Sequence, residues 1–82
     1  MSSNQIFELI VLNIRDIIPG LENEDIGRNS MLSPLGLDSI GRAELIEKTL
    51  EDLGLRAPRN EFHSAANLGE LADLFARRVT SL

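Results

Sequence analysis

Leu45, Ile46, Thr49, Leu50 and Leu53 recur at i, i+1, i+4, i+5 and i+8, which gathers them on one side of an α-helix and scatters them over both faces of a strand. Asp38 is a good N-cap ahead of this stretch, and Gly54 is a stop directly after it. At about 100° per residue, Ile40, Glu44, Glu47 and Glu51 fall opposite the apolar stripe. One side of the helix demands a core, while the other stays in water as an acidic stripe that begins on an apolar residue.

Two further stretches share this period. Ser2 precedes Gln5 at capping-box spacing, and Ile6, Ile10, Val11, Ile14, Ile17 and Ile18 follow, predicting a helix from about Ser3 to Ile18. Pro19-Gly20 ends it, because proline lacks the amide donor and disfavours helix in the residue before it. Asn67 and Glu70 repeat the capping-box spacing before Leu68, Leu71, Ala72, Phe75 and Val79. Pro58 to Phe62 suits one short helical turn, with Phe62 reaching the core beside Phe7 and Phe75. The expected fold is all-α, a four-helix bundle with a short third helix and a long loop between helices 1 and 2, forming a single domain over residues 1–82.

That loop, Leu21 to Leu37, is rich in Gly, Asn, Asp, Ser and Pro, with apolar anchors at Leu21, Ile26, Met31, Leu32 and Leu35. Connections beyond about 12 to 15 residues are uncommon in compact domains and are often functional. The anchors predict an ordered segment lying across the helices.

Composition narrows the function. The formal net charge of −5 argues against nucleic acid, which is bound through clustered Lys and Arg, and favours partners with basic surfaces. No apolar run approaches the roughly 18 residues that span a bilayer, and the Met1-Ser2-Ser3-Asn4 start lacks the basic residues of a signal peptide, so a cytoplasmic, membrane-free monomer is expected. With no cysteine, thiol catalysis and the usual zinc frameworks are absent, and no metal site is expected. Any thiol chemistry must be imported. At 82 residues, a domain buries only roughly 60% of its unfolded surface, so the core is modest.

The chemistry-bearing feature is Leu35-Gly36-Leu37-Asp38-Ser39-Ile40, which sets Ser39 in the first turn of the second helix, after a glycine and a capping aspartate. Its hydroxyl is expected to be exposed. Unpaired amides and the partial positive charge of a helix start tolerate a phosphodiester there better than in a helix interior.

With the long loop before it and the acidic helix after it, Gly36-Leu37-Asp38-Ser39-Ile40 resembles the motif of the acyl carrier proteins, and the resemblance spans essentially the whole chain. It implies that Ser39 receives 4′-phosphopantetheine from coenzyme A, whose terminal thiol then holds an acyl group as a thioester. Asp38 would help the phosphopantetheinyl transferase and its magnesium ion engage the site. The partner-binding residues implied are Leu37, Ile40, Arg42, Glu44, Glu47 and Glu51, met by basic docking surfaces on an acyltransferase, a ketosynthase or a hydroxymethylglutaryl-synthase-like enzyme. Such a chain is a non-catalytic carrier.

Peptidyl carriers usually have a second glycine where Leu37 stands, so the chain is more similar to polyketide or fatty acid carriers than to peptidyl or aryl ones. Ser39-Ile40-Gly41-Arg42-Ala43-Glu44 and Asn67-Leu68-Gly69-Glu70-Leu71 resemble freestanding donor carriers of polyketide β-branching cassettes, which deliver acetyl units to a hydroxymethylglutaryl-synthase-like enzyme. Those carriers tend to have Asn before the serine and Asp two residues after it, where this chain has Asp38 and Gly41.

Plainer readings stand beside these. Ser39 is also an ordinary helix-start residue, and the acidic stripe is also a solvated face, as an unmodified helical adaptor would use. Arg42 and Lys48 are expected to pair with neighbouring carboxylates, each pair contributing a few tenths of a kcal/mol. His63, the sole histidine, is expected in a loop, and a hydrolase built on Ser39 and His63 lacks any nucleophile-elbow motif. Arg77-Arg78 suits the negative end of the last helix.

Overall fold

The computed structural model of the chain describes residues 1–21 and 23–80, apart from the Thr80 side chain; Glu22 of the long loop, Ser81 and Leu82 lie outside the described residues. Three α-helices, α1 (Ser3–Ile17), α2 (Ser39–Leu53) and α3 (Leu68–Thr80), carry the fold, with 3₁₀ turns at Ser33–Leu35 and Arg59–Phe62. The expected short third helix is thus a four-residue 3₁₀ turn. Pro58, extended at φ −64° and ψ 133°, has no amide proton to donate, and the turn ends after one revolution. The regular elements among the described residues are all helices, with one isolated bridge between Met31 and Asn67, and no described helix is long and apolar enough to cross a membrane.

The expected caps are present. Ser2 accepts from the Gln5 amide at 3.2 Å while Gln5 Oε1 accepts from the Ser2 amide at 2.8 Å, closing a capping box on α1. Asn67 Oδ1 accepts from the Glu70 amide at 2.8 Å at the start of α3. Gly54 ends α2 in the left-handed region at φ 65°, where glycine has no steric penalty.

α1 packs on both α2 and α3, and the second 3₁₀ turn packs on α2 and α3. Ile6, Ile10 and Ile14 of α1, Leu45, Ile46 and Leu50 of α2, and Leu68, Leu71, Ala72 and Phe75 of α3 form the core with Phe62 from the turn. The rings of Phe62 and Phe75 stack with centroids 4.3 Å apart, so this turn joins α2 to α3. Phe7 is only half-buried, under the Arg28 guanidinium at 5.8 Å.

α1 departs from its apolar pattern at one position. Asn13 is buried, while Val11, expected on the buried stripe, is only partly buried and does not join the core cluster. Its Nδ2 donates to Thr49 Oγ1 at 3.2 Å and to Asp52 Oδ2 at 3.0 Å, and Thr49 donates in turn to the Leu45 carbonyl at 2.8 Å. A satisfied polar pair inside the α1–α2 contact fixes the register of the two helices, because a slip leaves those groups unpaired in a dry interior.

The long loop is ordered against the helices, with Leu32 buried and Leu21, Ile26 and Leu35 partly so. Met31 is not an anchor. Its side chain is 52% exposed, and its backbone instead makes the bridge to Asn67.

Candidate functional site

Ser39 is the first residue of α2 and is exposed. Several local features put it there. Gly36 ends the first 3₁₀ turn at φ 93°, a conformation that L side chains rarely adopt, and so redirects the chain. Leu37 then plunges into the core at 2% exposure, with its amide donating to the Leu32 carbonyl at 3.2 Å. Asp38 is extended at φ −74° and ψ −170°, and its Oδ1 accepts from the Gly41 amide at 2.8 Å. The buried leucine and the capping carboxylate together hold the next residue, Ser39, at the solvent end of the helix.

Gly41 serves this cap. A Cβ there would stand 3.4 Å from both Asp38 Oδ1 and the Leu37 side chain, close to ordinary van der Waals contact, so the cap uses the Gly41 amide without demanding a glycine.

Beside Ser39 lies a surface depression of about 340 Å³ lined by Ser33, Leu37, Asp38, Ser39, Arg42 and His63. An exposed hydroxyl at a helix start, opening on an adjacent space, fits a tethered phosphodiester and its arm. Ser39 and His63 share this lining, with no hydrogen bond between them among the described residues. Arg42 makes no ion pair among the described residues, so the expected pairing with neighbouring carboxylates is not formed.

Along α2, Ile40 is 72% exposed, and Glu44, Glu47 and Glu51 are exposed on the helical stripe that continues from it. Leu37 does not belong to this face, because it is consumed by the core; a hydrophobe just ahead of a cap reads alike whether it points inward or outward. Glu47 is held by Arg59 Nη1 of the second 3₁₀ turn at 3.4 Å. Lys48 pairs with Asp16 across the α1–α2 contact rather than with its helical neighbours. That bond holds the Asp16 carboxyl below its ordinary range and raises the Lys48 ammonium above its own.

Sequence reasoning missed Arg28. This loop residue donates through Nη2 to Asp73 Oδ1 at 2.9 Å, Ser3 Oγ at 3.2 Å and the Gly69 carbonyl at 3.3 Å, and through Nη1 to Asn4 Oδ1 at 3.2 Å. Asp73 also accepts from Ser3 Oγ at 2.5 Å. The Ser3 hydroxyl, followed by the Arg28 guanidinium, holds the Asp73 carboxyl below its ordinary value, against an opposing push from partial burial. The loop is thereby tied to the starts of α1 and α3 before it delivers Ser39. At the far end of α3, Arg78 pairs with Glu61 of the second 3₁₀ turn.

Residues 14–75 match the protein family described as "Phosphopantetheine attachment site". The chain is 40% identical over 81 residues to the polyketide biosynthesis acyl-carrier-protein AcpK of Bacillus subtilis (strain 168), covering 99% of each chain. It is 31% identical over 71 residues to a stretch making up 4% of hispidin synthase of Neonothopanus nambi. Among solved structures, it superposes with a TM-score of 0.90 and 45% identity on a chain from the curacin biosynthetic pathway HMG synthase in complex with acetyl donor-ACP, covering 94% of this chain and 99% of that one.

Proposed function

This chain belongs to the acyl carrier proteins with a phosphopantetheine attachment site, and we propose that Ser39 bears the arm and that α2 presents it, acetyl-loaded, to an HMG-synthase-like enzyme. The family carries covalently attached 4′-phosphopantetheine, which supplies the thiol that this cysteine-free chain lacks and holds acyl groups as thioesters. The observation that carries the reading is the exposed Ser39 hydroxyl at the first position of α2, held there by Leu37 and Asp38.

Each residue has a separate task. Ser39 is the anchorage and no nucleophile in turnover. Asp38 caps the helix and lies beside the hydroxyl that the phosphopantetheinyl transferase must reach. Ile40 offers an apolar contact, and Glu44, Glu47 and Glu51 offer negative charge to a basic docking surface. Long-range attraction of this kind speeds encounter without demanding tight binding, as repeated brief visits require.

The carrier is of the polyketide type, as the 40% identity to AcpK supports. The donor role is supported by 45% identity to the chain in the HMG synthase complex with acetyl donor-ACP. The reading further includes a single carrier domain over residues 1–82, a substrate rather than a catalyst, working in the cytoplasm where coenzyme A supplies the arm.

Incubation with coenzyme A and a broad-specificity phosphopantetheinyl transferase, followed by intact-mass measurement, tests the attachment. One phosphopantetheine is expected on the wild-type chain and none on Ser39→Ala; an increment that persists in Ser39→Ala would refute Ser39 as the site. For the donor role, the acetyl-loaded holo chain is compared with an elongation carrier as substrate of an HMG-synthase-like enzyme. Faster turnover of this chain is expected, and equal turnover would reject the assignment.

A further inference from the structure

We propose that the depression beside Ser39 seats the phosphodiester of the arm, with the Arg42 guanidinium as its counter-ion, and that this contact sets the direction in which the arm leaves the protein. The inference rests on Ser39 being the attachment point. It goes beyond that reading in assigning a role to Arg42 toward the arm itself.

The tether keeps the phosphate at the edge of this depression. A phosphorus bonded to Ser39 Oγ keeps its two free oxygens next to that atom, and the space Ser39 opens on is the depression of about 340 Å³ that Arg42 and His63 also line. Arg42 follows Ser39 by three residues on α2, a spacing at which helical side chains stand about 5–6 Å apart at Cβ. An arginine side chain spans that separation, and its planar fork matches two phosphate oxygens.

Charge supplies the reason. Attachment adds a negative charge beside Asp38, whose carboxylate is fixed in the same lining by its bond to the Gly41 amide, in a chain already at −5. A neighbouring cation is needed to offset that repulsion. Arg28, Lys48, Arg59 and Arg78 are each committed to a carboxylate. Arg42 borders the depression and has no ion pair among the described residues. A phosphate held by Arg42 leaves the arm rooted in the depression that His63 also lines, which gives its outer part a preferred starting direction.

The test prepares apo and holo forms of the wild-type chain, Arg42→Lys and Arg42→Gln, each verified by intact mass, and reads three signals. Loading is expected to shift the Arg42 Nε–H resonance and the ring resonances of His63, the sole histidine. The change in Tm on loading is expected to be less favourable in Arg42→Gln than in wild type by roughly 2–4 °C, the size that a partly exposed charge pair carries in a small domain. Arg42→Lys should recover about half or more of that difference. Because each variant is compared with its own apo form, any effect of the substitution on folding cancels. A chain that loads on Ser39 while the Arg42 resonance stays still, or an Arg42→Gln loading shift equal to wild type, overturns this inference and leaves the carrier reading intact. A chain that does not load overturns the carrier reading and this inference with it.

Discussion

Gly69 and Arg28 are bonded to each other twice: the Gly69 amide donates to the Arg28 carbonyl at 2.8 Å, and Arg28 Nη2 donates to the Gly69 carbonyl at 3.3 Å. The long loop is clasped to the first turn of α3 through this pair. A Cβ on residue 69 would stand 3.1 Å from both the Arg28 carbonyl oxygen and Arg28 Cβ, and backbone on one side leaves little to yield.

Gly69→Ala is therefore expected to destabilise the fold by about 1–2 kcal/mol, although alanine is the better helix former. Thermal unfolding should show a Tm lower by roughly 4–15 °C. A Tm at or above wild type would mean that the loop yields freely and that the clasp carries no strain.

The Asn13–Thr49 pair predicts a coupled loss. Asn13→Ala alone is expected to cost about 1–2 kcal/mol, since Thr49 and Asp52 each lose a donor. A double-mutant cycle with Thr49→Val, read by urea unfolding, should return a coupling of about 0.5–1.5 kcal/mol. Strict additivity would show that the two side chains do not act as one unit.

Acid sensitivity follows from Asp73. Its carboxyl is depressed below the ordinary value of 3.8, chiefly by the Ser3 hydroxyl. A depressed acid stabilises the fold fully above its unfolded pKa, and that contribution is lost as pH falls through the folded value. Stability from this group is thus level from neutral pH down to about pH 5 and declines below about pH 4. Asp73→Asn should flatten that acid limb in unfolding curves recorded across the range, and an unchanged limb would dismiss Asp73 as its source.

The acidic stripe is not uniform. Glu47 is engaged by Arg59 at 3.4 Å, while Glu44 and Glu51 make no ion pair among the described residues. Glu44→Gln or Glu51→Gln should slow association with a basic partner enzyme by about 2- to 5-fold at low salt, and Glu47→Gln by less. Ile40→Ala should act instead on dissociation. Stopped-flow binding at two ionic strengths separates these effects, and a Glu47 effect as large as that of Glu44 would show that Arg59 does not shield it.

What could be read in the sequence was local. Ser2, Asp38, Gly54 and Asn67 cap their helices through partners within four residues, a distance over which side-chain chemistry alone decides the outcome. The exposure of Ser39 was legible for the same reason, since it depends on its immediate neighbours. What escaped was held by distant partners. Lys48 prefers Asp16, 32 residues away, and Arg28 reaches Asp73 across 45, and neither pairing leaves a periodic trace. Asn13 interrupts an apolar stripe and looks solvent-facing until α2 supplies Thr49. Leu37 is implied as a partner contact by the resemblance alone, and because the helical pattern begins after it, no period indicates which way it points.

The exposed Ile40 also bears on how two copies of the carrier would meet. An isoleucine left 72% open to water is a single apolar contact point, too small to hold two copies together unaided. Here the side chain is followed along the same helix by glutamates, so bringing two copies together face to face sets like charges against like. On the proposed reading, the same apolar spot meets repulsion when a second copy approaches and attraction when a basic partner does, so one row of charge sorts the two encounters.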